Sequence, residues 1–170
     1  RPGIIGHYQA TLNSEGFPKA LWVRTTGQSL FWQMKRAKME KMGFDETMVE
    51  CVYNTIYKIP NLYVETAHVE QPIPLSYLRG VGTTSSIFFY ESFISELARK
   101  FDKDDYEYRV HLLKDHPVAL KVLEKTAEAA EWDKPLETGK ARGMSYNVWV
   151  GRDELFTTYV ALVAEVQVKD

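Results

Sequence analysis

Strand-like sequence at both ends of the chain, with helix-like sequence between them, is the feature that most limits the fold. Residues 6–12 and 19–27 are rich in aromatic and β-branched residues and flank the turn-forming NSEG, which predicts a hairpin. Residues 143–150 and 155–168 predict a closing hairpin, because apolar side chains alternate along the last segment. Strands gathered at the two ends favour an α+β fold. We expect β-hairpins at both ends that form a mixed or antiparallel sheet, with about three helices packed on one side.

Helical patterns fill the middle of the chain. Residues 33–42 predict a basic, solvated amphipathic helix that Gly43 ends. A helix that starts near Thr84 has apolar residues at steps of three and four, as expected for packing on a core. The acidic first turn of 104–113 predicts a second core helix, and Pro117 suits the first position of a third.

Composition limits the class of protein. The chain has 170 residues, of which 45% are hydrophobic, so we expect one globular domain over 1–170. A net charge of -2 gives no overall positive field to attract nucleic acid, and we expect no nucleic-acid partner. No apolar run approaches the roughly 18 residues of a membrane span. The single cysteine, Cys51, excludes an internal disulfide and leaves both bacterial cytoplasm and periplasm open.

The most informative stretch is PLSYLRGVGTTSSIFFYESF, residues 74–93. Pro72 and Pro74 keep the segment before it extended, and that segment leads to Arg79. The start of the following helix offers unpaired N–H groups and a partial positive charge, while an arginine supplies a bidentate donor. This pattern predicts a cradle for a phosphate or carboxylate. On these residues alone, it is equally possible that Arg79 pairs with a carboxylate and that the glycines only make a turn.

Several sequence blocks together resemble one enzyme family. The stretch from PLSYLRGVG to VLEKTAEAAEW is similar to the molybdenum hydroxylases, the xanthine dehydrogenase and aldehyde oxidase family. Three more blocks keep the family's order: RPGIIGHYQATLNSEGFPKALWVRTTGQS, YKIPNLYVETAHVEQPIPLSY and RGMSYNVWVGRDELFTTYVALVAEVQV. The large molybdopterin-binding subunit of the isoquinoline-oxidising type is the most similar. This resemblance, with the absence of an initial methionine, predicts that the chain is an internal piece of a longer subunit.

The resemblance implies an activity and its cofactors. Members of the family hydroxylate an N-heteroaromatic or aldehyde carbon with water as the oxygen source. The intact protein would use a molybdopterin-type molybdenum cofactor, with 2Fe–2S clusters on a small partner subunit. We expect as partners the rest of the large subunit, the small iron–sulfur subunit and a small-molecule substrate. The family's motif arginine contacts the pterin or phosphate side of the cofactor, which implies the following cofactor-binding residues: Arg79, Gly80, Val81, Gly82, Thr84, Ser85 and Ser86.

Departures from the family pattern limit what the chain does alone. The family's glycine-rich cofactor loop and its catalytic glutamate have no counterpart here, so we expect no catalytic residue and no turnover by this chain. Purine-oxidising members have an aromatic residue where this chain has Val81, and their substrate-binding arginine would fall near Met48, which disfavours a purine substrate. The alternative hypothesis is a non-catalytic binding or scaffold domain without molybdenum, in which Arg79 caps a structural helix.

Other polar residues have ordinary structural interpretations. Cys51 is expected to be a buried small hydrophobe. Glu91 is expected to pair with Arg79 or a neighbouring arginine. The four histidines do not have metal-ligand spacing, and His116 is expected to cap the third helix. These histidines are His7, His68, His111 and His116.

Overall fold

The computed structural model describes residues 3–151 and 155–168. The described residues have a mixed α+β fold, which confirms the expected class. In chain order, the elements are β1 (Ile4–Leu12), β2 (Pro18–Gly27), α1 (Leu30–Met34), α2 (Arg36–Met42), a 3₁₀ turn (Glu46–Met48), β3 (Asn61–His68), α3 (Thr83–Lys100), α4 (Asp105–Leu112), α5 (Pro117–Ala129), β4 (Lys140–Val150) and β5 (Thr157–Gln167).

The chain divides into two compact units. The first unit runs up to Thr55 and also includes Ile59–Ile94, so it contains the motif of the Arg79 region. The second unit consists of Ile56–Lys58 and the chain from Ser95 onward. Helix α3 begins in the first unit and ends in the second. The expectation of one domain over 1–170 stays a prediction.

The first unit is built on a three-stranded mixed sheet. Strands β1 and β2 pair in antiparallel register as the expected hairpin, and β3 adds to β2 in parallel. Strand β2 is central, and its alternate residues Leu21, Val23 and Thr25 are buried because they point to one face. The extended segment predicted at 62–70 is therefore a true strand of this sheet.

The predicted helix at 33–42 is two short helices rather than one. Helix α1 begins at Leu30 and α2 follows it, with Lys35 between them in a non-helical conformation. Ser29 caps α1, and the buried Asp45 carboxylate accepts hydrogen bonds from Ser29 Oγ (2.6 Å) and Phe31 N (3.1 Å). These bonds fix the start of α1, whereas α2 has no buried residue. Gly43 ends α2 in a left-handed conformation, as predicted.

The second unit combines a hairpin with helices. Strands β4 and β5 pair in antiparallel register from Lys140↔Gln167 to Val150↔Thr157, which confirms the closing hairpin. The helices α4 and α5 bury an apolar set at helical spacing. That set includes Tyr108, Leu112, Ala119, Leu123 and Ala127. His116 stands at the N-cap position of α5, but its side chain makes no capping hydrogen bond. The predicted capping role of its side chain was therefore wrong.

One charged side chain lies fully inside the second unit. Arg109 has 0% exposure and donates to Ser95 Oγ (3.1 Å) and to the carbonyl of Asp105 (3.1 Å). A buried guanidinium is tolerated only when its donors are satisfied. The arginine thus ties the last turns of α3 to the start of α4.

Among the described residues, no helix is long and apolar enough to cross a membrane.

Candidate functional site

The residues before the predicted site, 71–78, are held by two glutamine side chains. Gln33 bonds both backbone groups of Leu75, donating to its carbonyl (3.1 Å) and accepting from its N–H (2.9 Å). Gln28 donates to the carbonyl of Ile73 (2.9 Å). These bonds fix the path of the chain toward Arg79 without strand pairing. The segment was predicted to be extended, but it bends at residues 72–73, and the glutamines that hold it were not identified from sequence.

The Arg79 loop, residues 79–82, has an unusual backbone. Gly80 has φ 84° and Val81 has φ 24°, so two successive residues lie on the positive side of φ. Glycine adopts this region readily, whereas a β-branched valine is strained there. Helix α3 begins directly after the loop, at Thr83, one residue before the predicted start.

A carboxylate from elsewhere in the first unit caps this helix. Glu50 Oε2 accepts hydrogen bonds from Gly82 N (3.0 Å), Thr83 N (2.9 Å) and Thr83 Oγ1 (3.0 Å). The next amides donate to carbonyls within the chain, Thr84 to Gly80 and Ser85 to Gly82. The first amides of α3 are therefore occupied by the chain's own Glu50 carboxylate, and the predicted binding of a ligand anion at this helix start stays a prediction.

The loop also lies directly against the segment that contains Glu50. A Cβ built at Gly82 would overlap the carbonyl oxygen of Thr47, so only glycine fits this close backbone approach. One turn later, the buried Ser86 Oγ donates to the carbonyl of Met48 (3.3 Å). Three successive contacts thus join residues 47–50 to the start of α3.

Burial changes the acidity of Glu50. Desolvation raises the pKa of its carboxyl above the ordinary value, although the hydrogen bonds from Thr83 and Gly82 act in the opposite direction. The nearby Glu46 carboxylate adds a small further rise in this pKa. Burial therefore penalises the charged form of Glu50 even while three donors stabilise it.

Arg79 differs from the rest of the loop in having no internal partner. Its side chain is exposed, and across residues 3–151 and 155–168 its guanidinium has no hydrogen-bond or ion-pair partner. The pairing of Arg79 with Glu91 is therefore absent, and Glu91 itself is buried at 4% exposure. The guanidinium is therefore available to bind an anion other than the side chains of the described residues.

The structure brings the predicted residues together in one loop and helix turn, but with different surroundings. Arg79, Gly80 and Thr84 are exposed, while Gly82 and Ser86 are buried and in contact with residues 47–48. Thr84 Oγ1 lies 3.4 Å from the carbonyl of Gly80. The assignment of these residues to cofactor binding stays a prediction.

Sequence reasoning missed Glu50, which is the main polar partner of the loop. It lies 32 residues before Gly82 and has no recognisable spacing to it. One signal was available: Gly82 has no side chain with which to cap the helix that follows, so a cap had to come from another residue.

Two other candidates contribute little to this site. Cys51 is partly exposed rather than buried, and its Sγ lies 4.0 Å from Thr83 Oγ1. Across the part of the chain that the structure describes, no group of three or more His, Cys, Asp or Glu residues could hold a metal ion.

A cavity of about 320 Å³ lies in the first unit, between residues 28–33 and 68–75. His68 accepts a hydrogen bond from Ser29 N at Nδ1 (3.2 Å), and its ring stacks on Trp32 at 4.8 Å. None of the predicted cofactor residues is among the described residues that line this cavity. The cavity is therefore separate from the Arg79 loop.

Comparison with known proteins gives partial matches to two oxidoreductases. The chain is 26% identical over 113 residues to the beta subunit of isoquinoline 1-oxidoreductase from Brevundimonas diminuta, covering 65% of this chain and 14% of that protein. It is 36% identical over 88 residues to a nicotinate dehydrogenase subunit of Pseudomonas putida, covering 50% of this chain and 7% of that protein. The chain thus spans a small part of the length of both relatives. No family model matches it.

A solved structure has the same fold. Quinoline 2-oxidoreductase from Pseudomonas putida 86 matches with a TM-score of 0.61 and 20% identity, covering 86% of this chain and 21% of that one. At this identity the match concerns the fold. The two sequence relatives confirm the resemblance to the molybdenum hydroxylase family over the parts that they match, and the solved structure confirms the fold.

Proposed function

We propose that this chain is part of the large molybdopterin-binding subunit of an oxidoreductase that hydroxylates an N-heteroaromatic or aldehyde carbon. In this proposal the oxygen comes from water, and the electrons pass to 2Fe–2S clusters on a small partner subunit. The names of the three similar proteins refer to isoquinoline, nicotinate and quinoline, and each of these is an aromatic ring that contains nitrogen. This favours an N-heteroaromatic substrate over an aldehyde.

The observation that carries the proposal is the exposed guanidinium of Arg79, which has no partner among the residues that the structure describes. It stands on a loop that the first unit holds in place, and its planar donors suit a phosphate or a carbonyl-bearing ring edge. Gly80 adds no side chain that would obstruct an approaching group, and Thr84 offers an exposed hydroxyl one turn later. These residues fit the anionic side of a molybdopterin-type cofactor.

The division of roles within the motif follows from the contacts. Arg79 would hold the cofactor through its side chain, while Gly80, Val81 and Gly82 set the direction of the loop. The amides of Gly82 and Thr83 would not contribute, because Glu50 already accepts their hydrogen bonds. Thr84 and Ser85 lie on the first turn of α3, where they would line the path by which the cofactor approaches Arg79. Ser86 instead holds this turn in place by donating a hydrogen bond to the carbonyl of Met48. When bound, the cofactor would supply the oxidation chemistry, and this chain would bind and orient it.

The test is the molybdenum and pterin content per chain of the full-length protein that contains this segment, purified with its partner subunit. Loss of one charge-assisted contact of about 1.5–3 kcal/mol weakens binding roughly ten- to a hundredfold, so Arg79→Ala should lower the content clearly. Arg79→Lys should be intermediate, since an ammonium keeps the charge but not the planar pair of donors. Arg99→Ala, which also removes an exposed arginine, is the matched control and should retain the wild-type content.

A second candidate function is a non-catalytic scaffold domain, and one observation favours it. The helix start that the sequence indicated as an anion cradle is already saturated by Glu50. In that case Arg79 would bind no cofactor, and the wild-type protein would contain neither molybdenum nor pterin under conditions that load a known molybdoenzyme. That result would overturn the proposed enzyme function.

A further inference from the structure

The helix that follows the Arg79 loop depends on a distant residue for its cap. Gly82 stands directly before α3 and has no side chain, so it cannot accept from the first amides of the helix as Ser or Asp would. Glu50 performs this task with three hydrogen bonds of 2.9–3.0 Å to one carboxylate oxygen. The cap therefore joins two segments that are far apart in the sequence.

The loop needs such an anchor because of its backbone. Val81 has φ 24°, a conformation that L-residues with branched side chains adopt only when the surrounding structure enforces it. On one side of Val81, its N–H donates to the carbonyl of Leu78 (2.8 Å). On the other side, Gly82 is held by Glu50 and by its contact with Thr47. The strained residue thus lies between two fixed points.

We propose that Glu50 is the positioning residue of the Arg79 loop: it fixes residues 82–83 and thereby holds the Arg79 guanidinium where an anionic part of the cofactor can bind it. This inference rests on the proposed function for the identity of the ligand. In this proposal Glu50 acts through the loop, because its Oε2 accepts hydrogen bonds from the amides of Gly82 and Thr83.

A purely structural cap would not require a charged group here. Burial raises the pKa of Glu50, so the carboxylate is a costly way to satisfy two amides and a hydroxyl. What the side chain supplies is an acceptor oxygen at this point, because the same oxygen binds the end of the loop and the first turn of the helix, and a neutral Gln oxygen could do the same. The direction of the Arg79 side chain then depends on the segment that contains Thr47, Met48 and Glu50.

Hydrogen exchange of the full-length protein, resolved to peptides that span residues 78–86, tests the contact directly. In Glu50→Ala, the amides of Gly82 and Thr83 should exchange about tenfold faster or more, since their acceptor is removed. Cofactor content should fall in the same variant. Glu50→Gln keeps an acceptor oxygen in the same place and should restore most of both the protection and the content. Glu40→Ala, which removes an exposed glutamate paired with Arg36, should change neither.

The outcomes separate this inference from the proposed function. If Glu50→Ala keeps both the slow exchange and the full cofactor content, Glu50 is not a positioning residue, whatever Arg79→Ala does. If Arg79→Ala keeps its cofactor, the proposed contact fails, but exchange at Gly82 and Thr83 still decides whether Glu50 fixes the loop. Should Glu50→Ala not fold, Glu50→Asp shortens the side chain by one methylene and withdraws its oxygen from the amides of Gly82 and Thr83. Unchanged exchange of these two amides in Glu50→Asp would overturn the inference.

Discussion

In two helices of this protein, α3 and α4, a carboxylate caps the first amides, but the carboxylate comes from different places in the sequence. At the start of α4, Asp104 Oδ1 accepts from Tyr106 N (2.8 Å) and Glu107 N (3.1 Å), so the cap lies beside the helix in sequence. At the start of α3, Glu50 Oε2 accepts from Gly82 N and Thr83 N across more than thirty residues. A local cap stabilises one helix, whereas a distant cap also fixes the segment that precedes the helix. The Arg79 loop therefore depends on tertiary contacts in a way that α4 does not.

Gly82→Ala should disturb the distant cap most strongly. The added methyl group would overlap the backbone carbonyl of Thr47. Since the clash is with backbone atoms and not with a flexible side chain, it cannot be relieved by a change of rotamer. We expect a loss of about 3 kcal/mol in the free energy of unfolding, together with faster exchange at Thr83, measured by urea denaturation and hydrogen exchange. The distant cap would then be broken without any change to Glu50.

The control for this substitution is Gly143→Ala in β4. An added Cβ at Gly143 meets no atom within 4 Å, so alanine should be neutral or slightly stabilising there. Equal stability of the Gly82 and Gly143 variants would show that the loop and residues 47–50 move apart easily, and the comparison between the two helix starts would fail.

Most of the fold could be predicted from the sequence, because it depends on local patterns. Both hairpins, the helices at 104–113 and 117–130 and the end of α2 at Gly43 follow from alternation, helical spacing and turn residues. The break at Lys35 was not predicted, and neither was the distant Asp45 that holds Ser29 and Phe31 at the start of α1. The parallel pairing of β3 with β2 also depends on tertiary structure, because the residue pattern of β3 does not specify its partner or direction.

The candidate site could be predicted from the sequence only in part. Arg79 and the two glycines were identified because arginine, glycine and a helix start form a recognisable local group. Glu50 was not, because its role depends on the spatial approach of residues 47–50 to the loop. Local sequence thus indicated that α3 would bind an anion at its start, but not which anion.

A smaller effect is expected at the local cap. Asp104→Ala removes the acceptor for two amides of α4 and for Trp132 Nε1, which lies 3.0 Å from Asp104 Oδ2. Because the site is exposed, we expect a loss of about 1 kcal/mol in the free energy of unfolding, measured by urea denaturation. Asp104→Asn should recover most of this loss, and exchange at Gly82 and Thr83 should stay at the wild-type rate. A change in the exchange of the Arg79 loop would contradict the idea that α4 has an independent, local cap.

The weakest effect concerns the pH dependence of stability, and it tests the distant cap alone. Burial raises the pKa of Glu50, so the folded protein holds the proton of this carboxyl more readily than the unfolded chain does. The stability that this group contributes is then fully present below its unfolded pKa and is lost as the pH rises through its folded pKa. The wild type should therefore lose stability relative to Glu50→Gln as the pH rises above the ordinary glutamate pKa of about 4, in urea denaturation at several pH values.

The sign of this slope distinguishes two accounts of the distant cap. The same difference measured for Glu40→Gln corrects for the loss of one negative charge, since Glu40 is an exposed partner of Arg36. A fall in relative stability with rising pH means that burial of the carboxylate outweighs its three hydrogen bonds, and the role of Glu50 then lies in the position of its acceptor oxygen and not in its charge. A rise means that the bonds to Gly82 and Thr83 dominate, because charged acceptors bind amides more strongly. In that case Glu50 would be explained by stability, as Asp104 is, and the contrast between the two helix starts would be one of sequence distance only.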